Sequence, residues 1–326
     1  MITRIEVENF KSIKHQKLED ISQIVGIWGK NGSGKSSLLQ AILWCLKNGG
    51  RFSGNGLHFS NEKDFTYGHD IKNKAKANII YKDGKYESIG GTTQNWGNDV
   101  IHSVRYFPPW RSIIQRSYSI QSQVIRDLAL DHQNIHAFMH DFLHGLYDKI
   151  RRGDKDAEKL YNQMNDYATK IGFGHLFDIR EGGNVTGTYT DEIMGVEIPV
   201  VDGGFGGNSF LPILLEGYSF KDGVLLIEEP EISLHPAAQA EVWDFFVEMA
   251  RERNHQIIFT SHSDYLLKRI VKSYNDENFD ENLVTVLKAE KTKDGTTFNK
   301  VPKENIMKLP YEKKSKTLIE ELTERT

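Results

Sequence analysis

The chain has 326 residues, 38% hydrophobic and 26% charged, which suffices for one large or two modest globular domains and argues against disorder. Its formal net charge of −4 gives no overall attraction to nucleic acid or membrane, and its single cysteine, Cys45, excludes an internal disulfide framework. The charged start and the lack of a long apolar run speak against a signal peptide or a membrane span, so a cytoplasmic protein is expected.

In chain order, "ITRIEVENF" alternates apolar and polar residues as a strand does, and "QIVGIWG" reads as a second, buried strand. "GKNGSGKSSLLQAILWCL" then turns from glycines to an apolar helix pattern, with Cys45 on the packed face. Residues 50–107 form a β-rich insertion, in which "AKANIIYKDGKYESIG" offers two strands about the Asp83-Gly84 turn. Pro108-Pro109 closes it, since neither a ladder nor a helix continues through a proline pair. Residues 108–199 are expected to hold a helical arm and connecting strands. Ile135, Phe138, Met139, Phe142, Leu143, Leu146 and Ile150 share one helix face, and "RRGDKD" turns into a second helix ending near Ile171.

Beyond residue 200 come the glycine-rich "DGGFGGNSFLPILLEG", the strand opening "VLLIEEPEISLHP", a long helix and the strand "HQIIFTSHS". The tail "NLVTVLKAEKTKDGTTFNKVP" reads as two strands about Asp294-Gly295. Its lysines, among them Lys288, Lys291, Lys293 and Lys300, are diluted by Glu290 and Asp294 and read as a solvated face. Strands alternating with helices on both sides of the insertion imply an α/β fold with a mostly parallel sheet, built from residues 1–49 and 200–326.

The run Gly29 to Ser36 matches the complete phosphate-loop pattern, between a strand and a helix as that pattern requires. Glycines let backbone N–H groups curl around phosphate oxygens, and the helix N-terminus adds a favourable dipole. Gly29, Lys30, Asn31, Gly32, Ser33, Gly34, Lys35, Ser36 and the adjoining Ser37 are thus the expected contacts to nucleotide phosphates. Lys35 is to reach the β- and γ-phosphates, and Ser36 to ligate Mg²⁺. Such a loop needs an acidic group on a neighbouring strand to hold the metal and a second group to orient water, and Glu228 and Glu229 fill these roles in that order. Two adjacent buried carboxylates would otherwise oppose each other's ionisation.

Taken together, "VENFKSIKHQKLEDISQIVGIWGKNGSGKSSLLQAI", "IEEPEISLHP" and "IIFTSHSDYLL" resemble the SMC/RecF-like branch of ABC-type ATPases, most nearly the ATPase modules of the OLD family (overcoming lysogenization defect) and related anti-phage proteins. The resemblance covers about residues 1–48 and 200–290. It implies an ABC-type P-loop ATPase head, carrying the inserted β-rich segment and helical arm. It also implies ATP and Mg²⁺ as cofactors and heads that pair around two ATP molecules, as a homodimer or a higher homo-oligomer. By the same resemblance, Ser233, Leu234, His235 and Pro236 form the loop between heads, and His262 is the switch residue at the γ-phosphate. Gly206, Gly207, Asn208 and Ser209 stand at the signature position, with N–H groups at the start of "SFLPILLEG" aimed at the partner's phosphate. Gln115 or Arg111 takes the Q-loop position, and Lys11 or Ser12 lies near adenine. The stretch after His262 is too short for the Toprim nuclease domain of OLD nucleases, so the effector, a nuclease for instance, would be a separate chain.

His132, His136, His140 and His144, one helical turn apart, read as the polar flank of an amphipathic helix, with no metal assigned to them. Competing functions are an ABC transporter subunit, opposed by the missing Leu-Ser-Gly-Gly-Gln, a DNA repair ATPase of RecF or Rad50 type, and a scaffold stabilised by ATP without hydrolysis.

Overall fold

The computed structural model describes residues 1–46, 74–81, 84–89, 92–97, 104–109, 118–119, 135–181, 184–191, 193–306 and 309. Strands β1 (Ile2–Phe10) and β2 (Ile13–Glu19) form a hairpin, followed by β3 (Ile24–Trp28) and helix α1 (Lys35–Leu46). Next come β4 (Lys76–Tyr81), β5 (Gly84–Ile89), β6 (Thr92–Gly97), β7 (Val104–Phe107) and β8 (Tyr118–Ser119). Helices α2 (Ile135–Arg151) and α3 (Lys155–Lys170) precede β9 (His175–Glu181), β10 (Asn184–Thr190) and β11 (Glu197–Pro199). The remainder is α4 (Phe205–Ser219), β12 (Val224–Glu228), α5 (Pro236–Arg253), β13 (Gln256–Ser261), α6 (Asp264–Ser273), β14 (Val284–Thr292), β15 (Gly295–Lys300) and α7 (Lys303–Ile306).

The central sheet has the order β15-β14-β3-β13-β12-β7, parallel except for the antiparallel edge strand β15. Every residue of β3, β12 and β13 is buried, because both faces of this sheet are covered. Strand alternation divides them between two cores: Leu225, Ile227, Ile257 and Phe259 face α4, α5 and α6, while Val25, Ile27, Leu226 and Ile258 face α1. The far side of α1 meets a second, antiparallel sheet of order β2-β1-β4-β5-β6. Helix α1 is thus buried almost all round, which explains why "LLQAILWCL" is apolar on every face and why Cys45 is a core thiol.

Within the span expected as a β-rich insertion, β4 to β6 extend the sheet begun by β1, and β7 is the edge of the central sheet beside β12. The helical hairpin of α2 and α3 turns at Gly153, and the Asp154 carboxylate caps α3 by accepting from the amides of Asp156 and Ala157. Its Met139, Leu143, Tyr161, Met164 and Tyr167 lie in the same core as α4 and α5, so the hairpin packs on the head along this face. The third sheet, in which β10 pairs with β9, β8 and β11, carries an exposed turn at Ile193 and Met194. No helix among the described residues is long and apolar enough to cross a membrane.

One buried histidine ties α4 to the central sheet. His255 Nδ1 accepts from Gly223 N at 3.2 Å, and Nε2 lies 2.9 Å from Gly217 O and so carries the proton. Burial, joined by the nearby Arg253 charge and opposed by the Gly217 bond, holds the imidazole below its ordinary 6.5. The unfolded chain then takes up this proton first as pH falls, so His255 stabilises the fold above about pH 6.5 and loses that contribution through the window beneath it. His255→Gln is expected to flatten the fall in Tm between about pH 7 and pH 5, read by thermal unfolding at each pH. An unchanged slope would reject the assignment.

Candidate phosphate-binding site

All the strands that matter to the site end on one edge of the central sheet. The phosphate loop leaves β3 at Trp28 and enters α1 at Lys35, tightened by Ser33 N to Lys30 O at 3.1 Å and Ser37 N to Gly34 O at 3.0 Å. Gly34 has φ +92°, and a Cβ there would meet Ser12 Oγ and Thr296 Oγ1 at 2.5 Å, so the loop needs glycine on both conformational and steric grounds. Ser12, on the β1–β2 turn, therefore abuts the loop directly, and its hydroxyl lies 3.3 Å from Ser37 Oγ.

Lys35 is buried beneath the loop. Its ammonium donates to Gly29 O at 3.0 Å, Lys30 O at 3.2 Å and His262 Nε2 at 2.8 Å, which uses all three N–H bonds. Burial lowers the Lys35 pKa, and the charges of Glu229, Glu231 and Glu228 oppose that shift. His262 is likewise held below its ordinary value, first by burial, then by the Lys35 charge, against an opposing pull from Glu229. A neutral His262 must accept the Lys35 proton at Nε2 and carry its own on Nδ1. The 3.6 Å separation of His262 Nε2 from Glu229 Oε1 is for this reason a proximity and not an ion pair.

Ser36 Oγ donates to Glu228 Oε2 at 2.6 Å, joining the end of β12 to the start of α1. Glu228 Oε1 accepts from the buried Tyr106 hydroxyl at 2.5 Å. Gln40 Nε2 lies 3.4 Å from that hydroxyl, and Gln40 in turn bonds Lys11. The serine hydroxyl and the carboxylate are a hard oxygen pair, the donor chemistry that suits Mg²⁺. Tyr106 and Gln40 escaped the sequence reading, although Tyr106 stands in the apolar strand "SVRYF", where a buried phenol needs a polar partner.

Glu229 adopts φ +46°, and its amide donates to Thr260 O at 3.0 Å, which turns its carboxylate toward His262. A non-glycine residue in this region costs about 1–3 kcal/mol, and such strain gathers at functional sites. Ser233, at φ +59°, makes the second left-handed bend before the His235 cap of α5.

The glycine-rich stretch departs from expectation. Helix α4 starts at Phe205, so Asn208 N already bonds Gly204 O at 3.0 Å and Ser209 lies past the first turn. Ser209 is fully buried, its hydroxyl 2.8 Å from Gly206 O and 3.1 Å from Ile232 O. Neither residue presents an open amide; Gly206 and Gly207 keep the first-turn amides that an anion could use. Gly206 presses on the Ser233 carbonyl, which joins the expected signature segment to the 233–236 turn. Gln115, Arg111 and His132 lie outside the described residues, as do the side chains of His136 and His140, while His144 is exposed beside Asp148 at 3.7 Å.

A cleft of about 870 Å³ opens along Lys30 to Ser33, His262, Asp264 and Lys288 to Lys291 of β14. It offers basic and hydroxyl groups beside a run of loop amides, a setting for a polyphosphate.

Comparison with known proteins gives the family and the fold. Residues 73–267 match the AAA ATPase domain family, and residues 1–94 match the RecF/RecN/SMC N terminal domain. Structural maintenance of chromosomes protein 1 of Arabidopsis thaliana is 34% identical over 128 residues, which cover 34% of this chain and 10% of that protein. The chain thus spans about a tenth of the length of that relative. Among solved structures, the SmcHead bound to the C-winged helix domain of ScpA superposes with a TM-score of 0.57 at 16% identity, covering 94% of this chain and 99% of that one. The Smc head domain with an extended coiled coil, bound to the C-terminal domain of ScpA derived from Pyrococcus furiosus, reaches 0.60 at 16% identity, covering 96% and 99%. The fold is that of an SMC-type head.

Proposed function

The chain belongs to the AAA ATPase domain family, and from that premise we propose that it binds ATP between two copies of its head and hydrolyses it to switch a separate effector protein. One observation carries this reading: the fold brings Lys35, Ser36, Glu228, Glu229 and His262, drawn from three parts of the sequence, to the same strand ends. Lys35 would hold the β- and γ-phosphates, Ser36 and Glu228 would hold Mg²⁺, which would supply charge neutralisation at the phosphates, and Glu229 would orient the attacking water. Neutral His262 senses the γ-phosphate, its Nε2 released from the Lys35 hydrogen bond once Lys35 turns to the nucleotide. The α4 start and the 233–236 turn, already in contact, move as one unit when a second head closes on the nucleotide. The likeness of "EEPEISLHP" and "FTSHSDYLL" to OLD-type modules supports a role in bacterial anti-phage defence.

Phosphate release from Mg-ATP, measured beside light scattering with and without ATP, tests the proposal. Turnover with ATP-dependent pairing is expected; no turnover and a fixed oligomer would reduce ATP to a scaffold. Gly206→Ala places a methyl against the Ser233 carbonyl. It is expected to leave ATP affinity unchanged and to weaken pairing by about tenfold, since displacing a packed turn costs on the order of 1–3 kcal/mol.

The match of residues 1–94 to the RecF/RecN/SMC N terminal domain favours a second reading, a DNA repair ATPase. Stimulation of phosphate release by duplex DNA would select it over effector switching.

A further inference from the structure

We propose that Glu231 is a positioning residue that couples the Glu229 turn to the His262 loop; the proposal rests on the reading of Glu229 and His262 as the hydrolytic pair. The carboxylate is buried, and its Oε1 accepts from three consecutive residues: Ser261 Oγ at 2.7 Å, His262 N at 2.8 Å and Ser263 N at 3.2 Å. Strand β13 ends at Ser261, so the next two amides have left the ladder and need an acceptor. Glu231 supplies it to His262 N from the turn that carries Glu229, two residues away, and shares the Ser263 amide with Ser261 Oγ, which lies 2.9 Å from it. The Glu229 amide is itself fixed to Thr260 O at 3.0 Å. Two short links, one on each side of β13's end, thereby set the approach of Glu229 Oε1 to His262 Nε2. The second oxygen, Oε2, is buried without a hydrogen-bond partner among the described residues, so one oxygen does the holding.

Reach and acceptor geometry, not the charge as such, are what this role requires. Glu231→Gln keeps an oxygen at the same reach, Glu231→Asp withdraws it by a methylene, and Glu231→Ala removes it. The test measures kcat, ATP affinity by calorimetry, and amide hydrogen exchange at His262 and Ser263 in all four proteins. The Ala and Asp variants are expected to lose about tenfold or more in kcat and to exchange the His262 amide at least about tenfold faster, with a smaller change at Ser263, which keeps Ser261 Oγ, and with ATP affinity within about threefold. The Gln variant is expected to stay within about threefold of wild type on every measure. Unchanged exchange in the Asp and Ala variants overturns the proposal, as does a Gln variant as impaired as Ala. Should Ala fail to fold, Asp against Gln decides. Faster exchange in a protein whose wild type releases no phosphate would reject the proposed hydrolysis while leaving the positioning role intact.

Discussion

Glu229→Gln is expected to lower the steady-state rate of phosphate release by roughly 10²-fold or more, the usual range for loss of a positioned general base, while ATP still binds and still draws heads together. Glutamine matches glutamate in length, and the left-handed turn is held by the Glu229 amide on Thr260 O, a bond the substitution does not touch. Lys35, Ser36 and Glu228, the groups assigned to phosphates and metal, keep their contacts. What is lost is the negative charge and basicity of the carboxylate whose Oε1 lies 3.6 Å from His262 Nε2. The expected signature is therefore a split: turnover collapses, ATP affinity holds within a few-fold, and light scattering with Mg-ATP reports a longer-lived pair than in wild type. A variant that turns over within twofold of wild type would remove Glu229 from the mechanism.

Lys35→Ala should instead weaken nucleotide binding itself. The ammonium is buried under the loop, where burial lowers its pKa and three glutamates help retain its proton, an arrangement costly to keep for structure alone. Its bonds to Gly29 O and Lys30 O are replaceable by water, whereas a charge-assisted contact to phosphate is worth about 1.5–3 kcal/mol. ATP affinity is expected to fall by about 10–100-fold in calorimetry, with pairing and phosphate release lost together. The same substitution frees His262 Nε2 from its donor and removes a lowering charge, so the imidazole pKa should rise, measurable by proton NMR titration. Binding within threefold of wild type would locate the phosphates elsewhere.

The phosphate loop, the paired glutamates at the end of an apolar strand and the alternation of strands with helices were legible from residue order alone, since each is a local pattern. Strand β1 matches its alternating run from Ile2 to Phe10, and β14 and β15 meet about Asp294-Gly295 as the turn signal indicated. Strand β2 was missed because "IKHQKLE" is largely polar: it lies at a sheet edge, where only Ile13 and Leu18 are buried and the pairing with β1 and the Gln16 bonds to Phe298 hold it. The start of α4 was misplaced because glycines at positions 206 and 207 read as a turn, whereas both lie in the first turn of α4, with Gly206 against the Ser233 carbonyl, where a side chain would not fit.

The sequence by itself determined the chemistry available, a phosphate loop with two acidic groups in an α/β frame, because those motifs need only a few neighbouring residues. Only the tertiary structure decided the rest. It sets the tautomer of His262 through Lys35, engages both oxygens of Glu228 with Ser36 and Tyr106, turns Ser209 inward, and makes Glu231 the acceptor for three donors at the end of β13. The physical reason is that a buried polar group must find its partner wherever packing places one, and here those partners lie tens to hundreds of residues apart along the chain.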